Sequence, residues 1–102
     1  VIGDNHLLER FDSDSRMICS ALLPKDIDCI VSIDTDSSNN IYVATNLDLY
    51  KFDTNLNMKW ELNNIINDGQ IMTLIVDHED CIYAVDTNKD IIIKVDEDGD
   101  IE

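Results

Sequence analysis

Basic residues are scarce in this 102-residue chain. Seven Lys and Arg stand against 22 Asp and Glu, a formal charge of −15. Nucleic acids and anionic membrane surfaces draw their affinity from lysine and arginine, so neither is an expected partner. Long apolar runs are missing too. No stretch of about 18 apolar residues exists, so no helical membrane insertion is expected. Cysteine occurs three times, at Cys19, Cys29 and Cys81. The number is odd and the spacing irregular, which argues against a disulfide framework and for small buried side chains. Unpaired thiols favour a reducing compartment such as the cytoplasm. The chain also lacks a nucleophile–base pair, a glycine-rich phosphate loop and Cys/His metal spacing. Proline occurs once, at Pro24, where it suits a connection that needs no ladder hydrogen bond.

What is present is self-similarity. Residues 1–20 lie over residues 42–61 without a gap, at a shift of 41. Phe11-Asp12 then falls on Phe52-Asp53, Leu8 on Leu49, Arg10 on Lys51 and Met17 on Met58. Ile41-Tyr42 falls on Ile82-Tyr83 at the same shift, whereas Lys51, Asp53 and Asn55 fall on Lys94, Asp96 and Asp98 at 43. Two residues are therefore inserted between. Upstream, Ile33-Asp34 matches Val76-Asp77, also at 43. A period of roughly 42 residues is shared by propellers and helical arrays.

Composition decides between them. The second unit holds apolar runs at 29–33, 41–44, 49–52 and 58–62; the third holds 71–76, 81–85 and 91–95, with a further one beginning at Ile101. Ile, Val, Tyr and Phe fill the runs, and Asn, Asp, Ser and Gly fill the gaps, which is strand and turn chemistry. Ile30-Val31, Leu74-Ile75-Val76 and Ile91-Ile92-Ile93 are apolar on both faces, so both faces are expected to be covered. Met58, Trp60 and Leu62 alternate with Lys59 and Glu61, the mark of a half-exposed strand. A four-stranded antiparallel sheet stacked between two like sheets, with its last strand at the rim, has that gradient; it is a propeller blade. The expected class is all-β.

At residues 76–101 the wording VDHEDCIYAVDTNKDIIIKVDEDGDI resembles the NHL-type propeller repeat: acidic turn, I-Y-V, D-T, N, I-x-K-x-D, then D-G. The second unit, NNIYVATNLDLYKFDTNLNMKWEL, is similar to the PQQ-like quinoprotein-type repeat, in which a Trp closes the fourth strand. Asn40 and Cys81 stand where the repeat usually has glycine before I-Y. The resemblance implies a β-propeller fragment of about two and a half four-stranded blades. Residues 1–23 would be a partial blade with its last three strands, 28–62 a full blade, and 70–102 a blade lacking most of its last strand. On this reading the chain is an excerpt of a longer propeller, and neighbouring blades come from the rest of the polypeptide or from other subunits.

Candidate sites are few. Asp96, Asp98 and Asp100, with Gly99 between, place oxygen ligands at alternating positions, which suits calcium. The same alternation recurs at Asp12, Asp14 and at Asp53, Asn55, so a turn built on Asx side chains is the preferred reading. His78 among Asp77, Glu79 and Asp80 falls on the hairpin at 35–40, where consecutive side chains point different ways. His6 is read as a turn histidine. Trp60 is read as packing rather than as a binding surface. Connections between units offer Asp26, Asp28, Asn63, Asn64, Asn67 and Asp68, polar residues of the kind that carry function on loops.

Two functions follow. One is a binding or scaffold module that contacts a protein, glycan or small ligand through its loops. The alternative, implied by the resemblance, is part of a six- to eight-bladed enzyme of the lactone-hydrolase, lyase or quinoprotein type, with a metal or cofactor on the axis. Fold alone does not choose between them.

Overall fold

The computed structural model describes residues 7–11, 14–22, 30–66 and 69–102, and the side chains of 14–17, 30–66 and 69–102. The expected strand at 1–3, together with His6, Asp26, Asp28, Asn67 and Asp68, lies outside the described residues.

Nine strands are present among the described residues: β1 Leu7–Phe11, β2 Met17–Leu22, β3 Ile30–Thr35, β4 Ile41–Thr45, β5 Leu49–Phe52, β6 Met58–Leu62, β7 Thr73–Val76, β8 Ile82–Asp86 and β9 Ile91–Val95. The described chain is all-β. β1 and β2 pair as a hairpin, β3-β4-β5-β6 form a four-stranded sheet, and β7-β8-β9 form a three-stranded one. Every pairing is antiparallel and joins strands consecutive in the chain. Such meanders follow from short strands separated by tight polar turns. The run beginning at Ile101 reaches only a single bridge, to Val95.

Four of the turns share one construction. The amides of Asn39, Leu56, Asp80 and Gly99 donate to the carbonyls of Asp36, Asp53, Asp77 and Asp96, three residues back. Asn39, Leu56, Asp80 and Gly99 all have positive φ, between 62° and 88°. The turn-opening aspartate in each case accepts from the backbone amides two and four residues on, for example Ser38 and Asn40 onto Asp36, and Asp98 and Asp100 onto Asp96. A type I turn followed by a left-handed residue gives this shape, and the aspartate supplies the acceptor that the turn's amides would otherwise lack.

Two counterpart tyrosines extend the pattern. Tyr42 donates its hydroxyl to Asp36 at 2.9 Å, and Tyr83 donates its own to Asp77 at 3.0 Å. Asp36 is thus the structural counterpart of Asp77, at a shift of 41, and the expected match of Ile33-Asp34 with Val76-Asp77 is not the one the hydrogen bonds follow. The two extra residues sit further on. β4 and β5 end on the Ala44–Leu49 pair, while β8 and β9 continue one rung to Asp86–Ile91.

The four-stranded sheet is buried on both faces in its middle strands; every residue of β4 and β5 is buried. One face, Ile41, Val43, Tyr50 and Phe52 with Leu56, forms its own cluster. The other face, Tyr42, Ala44 and Leu49, packs against Leu74, Ile82, Ala84 and Val95 of the three-stranded sheet. Two sheets stacked this way remove apolar area from water, worth roughly 25 cal/mol per Å². The far face of the three-stranded sheet differs from expectation. Ile75 and Ile92 are 50% and 65% exposed, so strands β7 and β9 are covered on one side only.

The turn aspartates predict an acid response. In Asp36, burial works to raise the pKa, but hydrogen bonds from the Asn40 side chain and backbone, Tyr42 and Ser38 outweigh it and the carboxyl titrates below its usual range. Backbone donation from Asn57 lowers Asp53, that from Cys81 lowers Asp77, and that from Gln70 lowers Asp86. A carboxylate whose folded pKa is depressed contributes stability above its unfolded pKa, and that contribution is lost as pH falls through the folded value. Urea midpoints are therefore expected to hold from neutrality to about pH 4 and to fall steeply below it. A midpoint indifferent to pH in the acid range would mean that these hydrogen bonds do not form in solution.

Candidate cleft at the β4–β5 and β8–β9 rim

Antiparallel meanders place alternate turns at opposite ends. The β4–β5 turn, the β8–β9 turn and the connection from β6 to β7 therefore meet at one rim. There they enclose an open cleft of about 900 Å³, lined by Leu47, Asn64, Ile66, Gly69, Gln70, Asp86, Asn88 and Lys89.

Each wall is fixed by short hydrogen bonds. On the first sheet, Thr45 Oγ1 accepts from the Asp48 amide at 3.0 Å and closes the turn. Asp48 then accepts the Asn64 amide at 3.0 Å, and the Leu47 carbonyl accepts the Ile65 amide. The connection is thereby tied down at its start. Its end is tied by Ile71, whose amide reaches the Asn46 carbonyl at 2.6 Å.

On the second sheet Asp86 occupies the place of Thr45, at a shift of 41. Its Oδ1 accepts from the Asn88 and Lys89 amides and its Oδ2 from the Gln70 amide at 3.0 Å. Backbone donation from Gln70 is the main reason its pKa falls below the usual carboxylate range, with the Lys89 ammonium adding to it. Asp86 is buried and hydrogen-bonded on both oxygens, so its charged form is favoured and holds the rim together. Gly69 is forced by close approach. A Cβ there would lie 2.5 Å from Ile66 Cγ2 and 2.6 Å from Asp86 Oδ2.

The side chains left to face solvent are Asn64, Gln70, Asn88 and Lys89, all exposed. They ring the buried Ile66. No hydrogen bond ties those four side-chain heads to other described residues, so amide donors, amide acceptors and one cation are available to a ligand.

The sequence pointed to Asn64 through its position in a connection, and the structure puts it on the cleft. It did not single out Gln70, Asp86, Asn88 or Lys89. A signal existed: Asp86-Thr87-Asn88 is the D-T-N stretch of the repeat wording. Asp96, Asp98 and Asp100 lie at the opposite rim. Asp96 Oδ1 is engaged by two turn amides, and no group of three His, Cys, Asp or Glu positioned to hold a metal occurs among the described residues. His78 is exposed within the Asp77–Cys81 turn. Cys81 carries a free thiol, and burial pushes its pKa up. Among the described residues no helix is long and apolar enough to cross a membrane.

Trp60 joins the sheets. Its ring lies 6.0 Å from that of Tyr42, tilted by 46°, and its Nε1 donates to the Glu97 carbonyl at 3.1 Å. Lys51 Nζ donates to the same carbonyl at 2.7 Å while sitting 5.5 Å from the Tyr42 ring centroid. Gly99 lies against the indole: a Cβ there would be 3.1 Å from the ring. At the turns, Asp80 accepts both the amide and hydroxyl of Ser37, and Asp34 accepts the Val76 amide.

Compared with known proteins, the chain matches no protein-family model and no curated protein sequence.

Proposed function

We propose that the chain is a β-propeller-type binding module whose stacked sheets are blades and whose cleft takes a polar segment of a protein partner. The observation that carries this reading is the cleft itself. Three separate connections converge there, each pinned by short hydrogen bonds, yet the side chains they present are uncommitted amides and a lysine. Asn64, Gln70 and Asn88 match the donor and acceptor pairs of a peptide backbone, and Lys89 suits a carboxylate. The buried Ile66 gives an apolar floor of the kind that binding clefts use beside a few convergent polar groups. Like strand order in the two sheets, and the shared Asp–Tyr turn device, support reading them as blades.

The test uses an array of peptides probed with the labelled chain. Bound peptides are expected to lose affinity by about tenfold when Gln70→Ala and Asn88→Ala are combined, a change of roughly 1.4 kcal/mol. Asn55→Ala, in the turn at the opposite rim, is expected to leave binding unchanged. If no peptide is retained, or retention ignores the double substitution, the cleft is not the binding surface.

A further inference from the structure

Charge is distributed unevenly about the cleft. Among the described residues Lys89 is the one cation of its wall. The other charged lining residue, Asp86, is buried, and both of its oxygens already accept backbone amides. Lys89 is exposed and forms no ion pair among the described residues. Lys51, Lys59 and Lys94 differ: they are held by the Glu97 carbonyl, by Asp53 and by Glu102. In a chain with 22 acids for seven bases, this lysine is left unneutralised.

The turns outside the wall have the opposite sign. Asp48 and Asp90 sit on the β4–β5 and β8–β9 turns, beyond the lining, the first half-buried and the second exposed. The chain as a whole carries −15. A ligand therefore crosses a negative field to reach one local positive charge. Gln70 and Asn88 share the wall with Lys89 and add side-chain amide donors to it.

We infer that the segment taken by the cleft carries a single carboxylate, held by Lys89, within an otherwise basic stretch. The inference rests on the peptide-binding reading above and adds the charge order of the partner. A carboxylate at this place receives the Lys89 ammonium together with the Gln70 and Asn88 amide donors. A segment without one would cover Lys89 and leave its charge desolvated and unpaired, which is costly. Lysines or arginines on either side of the carboxylate meet Asp48 and Asp90, and the −15 of the chain speeds their approach. A uniformly acidic segment is repelled by that same charge. A uniformly basic one sets like charge against Lys89.

The experiment measures binding of synthetic peptides to the full chain by surface plasmon resonance, at low and high salt. The probe is a short Ser- and Asn-rich peptide with one central glutamate between lysines. A second has glutamine in place of that glutamate, and each is made with its C-terminus free and amidated. The carboxylate-bearing peptides are expected to bind about tenfold more tightly than the amidated glutamine peptide. Which exchange removes the gain tells a side-chain carboxylate from a terminal one. Lys89→Met is expected to weaken binding by about tenfold and to abolish the preference for a carboxylate. Lys59→Met removes the same charge beside Asp53 at the opposite rim and is expected to change nothing. Affinity is expected to fall as salt rises, because the partners have opposite net charge. Binding that responds to the Gln70→Ala and Asn88→Ala pair, yet is blind to Lys89→Met and to both carboxylate exchanges, overturns this inference and leaves the peptide-binding reading standing. So does affinity that rises with salt. Binding that ignores the Gln70→Ala and Asn88→Ala pair as well, or no binding of any peptide, overturns both.

Discussion

Phe52→Ala is expected to lower the stability of the chain by about 3–5 kcal/mol, the range for removing a well-buried phenylalanine ring. Phe52 is 2% exposed and ends β5, on the face that carries Ile41, Val43, Tyr50 and Leu56. That face is the one turned away from the three-stranded sheet. The size of the loss therefore reports whether the four-stranded sheet is covered on both sides. A sheet covered on one side only would lose far less, because the ring would already touch water. Urea denaturation followed by circular dichroism is the measurement. A loss under about 1 kcal/mol would remove the burial of this second face and leave the contact with the three-stranded sheet, made by the opposite face, untouched.

Tyr42→Ala is expected to cost a similar amount, about 3–5 kcal/mol. Its ring is fully buried and touches three devices at once. It packs beside Trp60, it lies beneath the Lys51 ammonium, and its hydroxyl donates to Asp36. Tyr42→Phe isolates the last of these. Asp36 keeps its donors from Ser38 and Asn40, so the phenylalanine variant is expected to lose only about 1 kcal/mol. Burial and the Asp36 carboxylate both push the Tyr42 pKa upward, so its phenol stays protonated throughout the ordinary pH range. Equal losses for the two variants would show that the ring contributes nothing to the contact between sheets.

Much of the local structure was legible because turn chemistry is local. The strands at Leu49–Phe52, Met58–Leu62 and Ile91–Val95 begin and end where the apolar runs do. Asx side chains mark the turns because they satisfy backbone amides within four residues of themselves. Other features were hidden for a physical reason. Lys51 reads as a surface residue, yet it is buried because its acceptor arrives from 46 residues away. Asp86 reads as one more acid in an acidic chain, and only the arrival of Gln70 makes it a buried fixture. Ile75 and Ile92 read as core from their apolar neighbours, and pattern alone does not say whether a cover is present.

The pair of residues that lengthens β8–β9 over β4–β5 has an effect on relief. An added rung lifts the Asp86–Asp90 tip by roughly 3.4 Å above its neighbour and leaves the stacked interior beneath untouched. Insertions in steps of two, which keep each side chain on its own side, are thus a means of raising or lowering one parapet of the cleft.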